Sequence, residues 1–237
     1  MARVYGVTGH RPKSFVNYTN DTYQNLIGFA VSVLTEEEPD KVITGMALGW
    51  DMAIASACRR MQIKYVAAVP FAGQEMKWPQ ASKIEYQSLI QWANDVVVTS
   101  PGGYSNEKYG IRNEYIVDNC SVLLSLWNDS EGGTANCNKY AKLQKRRTIQ
   151  LWEHWEKYLA EQTKLEAERL GHVSDWTRGT GWELTSGSAT FTVSEDIHNE
   201  VYRAFGFDYN AGHPVRLPDP DQISPPAYDD SYDPPPF

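Results

Sequence analysis

Five short apolar runs punctuate the first half of the chain, at residues 4–7, 41–44, 65–69, 96–99 and 122–127, and none keeps a strict polar alternation. A strand wetted on one face alternates, whereas an unbroken run is buried on both faces, as in a parallel sheet. Between the runs the period lengthens to that of a helix. Tyr23, Leu26, Ile27, Ala30, Val31 and Leu34 fall on one stripe, Trp50, Ala53, Ile54, Ala57, Cys58 and Met61 on a second, and Tyr86, Leu89, Ile90 and Ala93 on a third. This alternation predicts an α/β fold: a Rossmann-like, doubly wound, mostly parallel sheet with helices on both faces. Residues 148–151 supply a sixth strand. Residues 153–169 read as a helix whose apolar stripe, Trp155, Tyr158 and Leu159, thins into Glu161, Lys164, Glu166 and Glu168.

Past residue 171 the pattern changes. Trp176, Gly179, Gly181, Trp182 and Gly187 read as a loop or small appendix, with a short strand at 190–193 and a helix at 195–205. Trp152, Trp155, Trp176 and Trp182 point to an appendix that packs on the sheet, or to a subunit contact. From Pro218 onward the chain spends seven of its thirteen prolines together with aspartates, a composition that resists packing. The expected organisation is therefore a ligand-binding domain over 1–152, a helix and appendix over 153–216, and a Pro/Asp-rich tail over 217–237. Within that tail Pro225, Pro226 and Tyr228 fit a Pro-Pro-x-Tyr ligand of WW domains, although in a stretch this rich in proline a chance match is the favoured reading.

Charge and composition narrow the chemistry. The net charge is -8, and the five tail aspartates account for five of it, so the remainder carries -8 + 5 = -3. No global positive field recruits nucleic acid or an anionic membrane. No run approaches a membrane span, and the first residues lack a secretory signal, so a cytoplasmic protein is expected. Cys58, Cys120 and Cys137 form no CxxC pair, which fits a reducing compartment. His10, His154, His172, His198 and His213 lie too far apart for a zinc site, and no P-loop sequence is present. Neither a metal nor a cofactor is expected.

In an open parallel sheet, ligands bind beyond the carboxyl ends of the strands, so the loops there carry the candidates. The first holds Thr8, Gly9, His10, Arg11 and Pro12, a mixture suited to phosphate or carboxylate and also to a surface turn. The second holds Gly45, Gly49 and Asp51; Asp51 either caps the following helix or accepts hydrogen bonds from a ribose diol. The third, Gly132, Gly133 and Thr134, opens a helix whose first amides can cradle phosphate, or is an ordinary capped loop. Arg112, beside Asn113, offers a planar fork to an anion, while Glu114 pairs with Arg112 or points to solvent. Phe71 and Trp78 either stack on a base or plug the sheet edge. The run Lys139, Lys142, Lys145, Arg146 and Arg147 reads as a solvated helix face or a nucleic-acid contact.

Taken in order, Thr8 to Pro12, residues 44–57, Pro70-Phe71 with Gln74-Glu75 and Lys77-Trp78, Arg112-Asn113, and Gly132-Gly133-Thr134 with Tyr140-Ala141 resemble the SLOG superfamily, in its YpsA-like branch, over about residues 3–151. The resemblance implies a Rossmann-like fold binding nucleotides or their derivatives. The superfamily includes cytokinin-activating phosphoribohydrolases, the DNA-processing protein DprA and sensors of nucleotide-derived signals. Arg112 matches a substrate-contacting arginine of the phosphoribohydrolases, and Gly132, Gly133 and Thr134 match part of their glycine-rich loop. The loop's glutamate falls at Cys137, and its first residues are replaced. Three readings follow. The first is a module that binds a nucleoside phosphate or ADP-ribose-like molecule, with phosphate on Gly132–Thr134 and Arg112 and ribose on Asp51. The second is an N-ribosidic hydrolase or deoxyribosyltransferase using Asp51 or Glu114 as its carboxylate. The third is single-stranded DNA binding as in DprA, which the acidic balance disfavours. A homo-oligomer is expected from the fold type.

Overall fold

In the computed structural model, residues 2–15, 18–176, 183–186 and 189–192 are described. Six parallel strands form one sheet: β1 Val4–Gly9, β2 Lys41–Thr44, β3 Tyr65–Val69, β4 Asp95–Val98, β5 Val122–Leu126 and β6 Arg147–Gln150, in the order β4-β3-β2-β1-β5-β6. The central strands are the ones without polar alternation, β3 and β5 being buried at every position. The edge strands differ: Val96 and Val98 of β4 remain 41% and 49% exposed, and β6 is only half covered. The six-stranded, helix-flanked sheet is the architecture that the periodicity predicts.

The connections are helical: α1 Asn20–Glu37, α2 Trp50–Met61, α3 Gln80–Trp92, α4 Glu107–Asp118 and α5 Gly133–Leu143, followed by α6 Trp152–Trp176. Helix α1 starts in a capping box between Thr19 and Thr22, which satisfies two amides that the first turn cannot. It packs on α2, and α2 on α3, while α4 packs on α5. Helix α2 is buried without a break from Trp50 to Cys58, so Asp51 enters the interior with its neighbours. Beneath α4 and α5, Ile43, Val66, Ile116, Val117, Leu123, Cys137 and Ala141 form one apolar cluster.

Strand β1 lies between β2 and β5, pairing Tyr5 with Val42 on one side and with Val122 on the other. The strand order reverses here, and α1, which follows β1, packs with α2 while α5, which follows β5, packs with α4, so a crevice opens above the carboxyl ends of β1 and β5. The chain divides after Tyr158 into two compact units. The first carries the sheet. The second contains the later turns of α6 and an antiparallel pair, β7 Glu183–Ser186 with β8 Ala189–Thr192, where a strand at 190–193 is expected from sequence. The expected helix at 195–205, Gly179, Gly181, Trp182, Gly187, the Pro-Pro-x-Tyr motif and the Pro/Asp-rich tail lie outside the described residues. Among the described residues no helix is long and apolar enough to cross a membrane.

Candidate functional site

The crevice at the strand reversal is a cleft of about 170 Å³. It is walled by the loop after β1, the start of α2, the inner face of α4 and the start of α5. At ~30 Å³ per water in the liquid it holds about six waters, or a phosphate with part of a sugar. Of the candidates named from sequence, Thr8, Gly9, His10, Arg11, Asp51, Arg112, Asn113, Gly132, Gly133 and Thr134 line it.

Its floor is a buried ion pair. Arg112 Nη1 lies 3.4 Å from Asp51 Oδ2, both side chains being 6% exposed. Asp51 Oδ2 also accepts the backbone N–H of Ala47 at 3.4 Å, while Oδ1 is buried with no hydrogen-bond partner. Both bonds are long, so this carboxylate is poorly satisfied for a group so far from water. Burial pushes the Asp51 carboxyl above its ordinary range, with the Arg112 guanidinium and the Ala47 amide pulling the other way. Burial likewise lowers the pKa of Arg112, opposed by Asp51. Thr44 Oγ1–H donates to the Asp51 carbonyl at 2.8 Å, tying the start of α2 to the end of β2.

Asn113 joins this pair to the other wall. Arg112 Nε–H donates to Asn113 Oδ1 at 2.9 Å, and Asn113 Nδ2–H donates to the Gly133 carbonyl at 3.2 Å. Helix α5 opens at Gly132 with φ 136°, a backbone conformation that glycine tolerates and L side chains rarely adopt, and no side chain caps its first turn. Thr134 Oγ1–H donates to the Gly9 carbonyl at 3.0 Å and fixes α5 against β1. On the rim the Arg11 guanidinium lies 5.0 Å from the centre of the Tyr109 ring. Arg11 also acts on Arg112 and Asp51 through space, so the cleft concentrates two guanidiniums, one buried carboxylate and a helix N-terminus.

His10 is 5% exposed. Its Nε2 lies 2.7 Å from Asn128 Oδ1 and 3.1 Å from the Asn128 backbone nitrogen, and its ring meets Trp152 edge-on. Burial lowers its pKa, so it is a neutral brace between the loops after β1 and β5.

Five of the named candidates stand elsewhere. Gly45 does not line the cleft but lies under Arg112: a Cβ there would fall 1.5 Å from Nη1. Gly49, at φ 94°, packs against the backbone of His10 and Arg11. Phe71 is 4% exposed beneath Tyr104 and Tyr109, and Trp78 packs edge-on against Tyr86, so both rings serve packing. Glu114 is exposed on the outer side of α4. Cys137, which takes the place of the loop glutamate, is 1% exposed, and burial pushes its thiol up to about 12, so it carries no carboxylate-like charge. Lys13, Ser14, Ala47, Tyr109, Ser130 and Glu131 also line the cleft, unanticipated as site residues. Tyr109 stands three residues before Arg112, on the same helical face, which was the available signal. Among the described residues no three His, Cys, Asp or Glu side chains gather as a metal site.

Residues 5–154 match the family described as the YspA SLOG family. The chain is 30% identical over 134 residues to the uncharacterised SPbeta prophage-derived protein YoqJ of Bacillus subtilis, covering 49% of this chain and 78% of that protein. A UPF0398 protein of Bacillus thuringiensis is 21% identical over 143 residues, covering 56% of this chain and 78% of the relative. Among solved structures, DNA processing protein A (DprA) of Streptococcus pneumoniae is similar with a TM-score of 0.47 and 16% identity, over 63% of this chain and 50% of that one. The molybdenum cofactor carrier protein of Chlamydomonas reinhardtii is similar with a TM-score of 0.43 and 12% identity, over 63% and 76%.

Proposed function

The chain belongs to the YspA SLOG family, and on that premise we propose that its cleft binds a small phosphorylated ribosyl compound, such as a nucleoside phosphate or an ADP-ribose-like molecule. The observation that carries this reading is the two-pole character of the cleft. One pole, Arg11, Arg112 and the uncapped start of α5, favours a phosphate through oriented donors and positive potential. The other pole is Asp51 Oδ1, a buried acceptor without a donor. A sugar hydroxyl supplies that donor, and a phosphate on the same ligand offsets the second guanidinium that Asp51 leaves unbalanced.

Titration calorimetry with adenosine 5'-monophosphate tests the reading. Saturable binding to the full chain is expected, weakened about tenfold or more in Arg11→Ala, since a hydrogen bond to a charged group contributes about 1.5–3 kcal/mol. No heat of binding with any nucleoside monophosphate, or equal affinity in the variant, contradicts it.

One observation favours turnover as a second reading: burial holds the Asp51 carboxyl toward its protonated form, which suits a proton donor to a leaving base. Glu114, facing outward, has no part in it. Release of free base from a nucleoside monophosphate, abolished in Asp51→Asn, is its signature; turnover that persists in Asp51→Asn removes Asp51 from the mechanism.

A further inference from the structure

A second and larger cleft, about 420 Å³, lies where α1, α2 and the start of α3 meet. It is not an arm of the first. Between the two, Gly49 is pressed onto the backbone of His10, and the Trp50 N–H donates to the His10 carbonyl at 3.2 Å, so the loops after β1 and β2 form a closed wall.

The lining of this cleft differs from that of the first. Ile27 and Met52 make an apolar floor, while Tyr18, Tyr23 and Pro79 stand along the sides. Tyr23 Oη lies 3.2 Å from Ser56 Oγ, and Ser56 Oγ–H donates to Glu85 Oε1 at 3.0 Å, which holds the tyrosine ring in place. Arg59 and Arg60 stand at the end of α2. Their guanidiniums donate to the neutral groups Ser88 Oγ at 2.9 Å and Gln24 Oε1 at 3.2 Å. Aromatic side walls with no deep polar cradle suit a polyproline II segment, whose prolines stack on tyrosines and lose little entropy on docking. Two arginines against one carboxylate, Glu85, leave the lining with an excess of positive charge, which asks for that segment to be acidic.

The chain carries such a segment outside the described residues: Pro225-Pro226-Ala227-Tyr228-Asp229-Asp230, in a stretch without Lys or Arg. We propose that residues 225–230 dock in this cleft of their own chain, with Pro225 and Pro226 against Tyr18 and Tyr23 and with Asp229 and Asp230 facing Arg59 and Arg60. Reach sets no obstacle, because the connection over 193–224 can span about 100 Å at ~3.3 Å per residue, several times the ~15 Å radius of gyration of a domain of this size.

Backbone relaxation of the full-length, nitrogen-15-labelled chain tests this. Order parameters of Asp229 and Asp230 near ~0.85 are expected for a docked segment, against values below ~0.6 for a free one. The R59E/R60E double variant is expected to drop them to the free range, D229K/D230K to do the same without altering any residue of the described fold, and the four changes combined to restore order by reversing both charges. Free-range values in the wild type, no change in D229K/D230K, or no recovery in the combined variant overturn the proposal. So does order that grows with protein concentration, which assigns the occupant to a second copy of the chain.

Discussion

Gly45 illustrates how a residue shapes the site without touching the ligand. The Arg112 guanidinium passes directly over its Cα, and a methyl group there would meet Nη1 at 1.5 Å and Asp51 Oδ2 at 2.8 Å. Gly45→Ala therefore displaces the guanidinium and splits the buried pair, which costs about 3–5 kcal/mol when one charge is left behind. An unfolding free energy from urea titration lowered by that amount, together with loss of phosphate-ligand binding, is expected; a variant of native stability and affinity contradicts the placement of Arg112. His10 gives a pH dependence whose sign is fixed by burial. Its folded pKa lies below 6.5, so between the two values the unfolded chain binds the proton that the folded one refuses. Its stabilising contribution is complete above about 6.5 and is lost as pH falls through that window. His10→Gln keeps a polar brace toward Asn128 and does not titrate, so the fall in urea midpoint from pH 7.5 to 5.5 is expected to be smaller in the variant than in the wild type.

At the scale of elements, what was readable in advance was whatever repeats. Strands β1, β2, β3 and β5 announce themselves because burial on both faces leaves no polar alternation, β4 shows the same apolar run although it lies exposed at the edge, and the stripes of α1 and α2 are legible because one face of each helix must be apolar. Helix α4 shows how far phase alone separates its residues. Tyr109, Arg112, Asn113 and Ile116 follow the i, i+3, i+4, i+7 spacing of a single face and are all buried, while Glu114 is out of phase and faces solvent. Its phase, followed strictly, excludes Glu114 from the cleft. Gly45, Gly49 and Phe71 were beyond such reasoning, because which wall of a loop faces a cleft depends on contacts with other loops: His10 against Gly49, and Tyr104 and Tyr109 against Phe71. The entry into α5 makes its own prediction. Gly132→Ala places an L residue at φ 136°, a strain of about 1–3 kcal/mol, and turns the first amides of α5 away from the cleft. Affinity for a phosphorylated ligand is expected to fall further than stability alone accounts for. Calorimetry and unfolding of the same preparation check this, and an unchanged affinity removes the α5 amides from the binding site.

For the whole molecule, the opposition between a global charge of -8 and a local cluster of cations decides among ligands of different size. The field of the whole chain repels a polyanion along its length, whereas a small phosphate entering the cleft meets Arg11, Arg112 and the start of α5 within one cavity. Single-stranded DNA needs a continuous row of cations, and each phosphate neutralised contributes a slope of about -0.7 to the logarithm of affinity against the logarithm of salt concentration. With Arg11, Lys13 and Arg112 in the cleft, that slope cannot much exceed about -2.1 in magnitude, and the basic run on α5 and β6 lies away from it, with Arg146 donating to the Asp118 carbonyl at 3.0 Å. Fluorescence anisotropy of a labelled oligothymidine, titrated at several salt concentrations between 50 and 200 mM, is therefore expected to show weak association with a shallow slope, competed by adenosine 5'-monophosphate. A steep slope of about -3 or beyond, insensitive to the mononucleotide, would mean that a surface outside the cleft engages the strand, and the small-ligand reading would then give way to a nucleic-acid one.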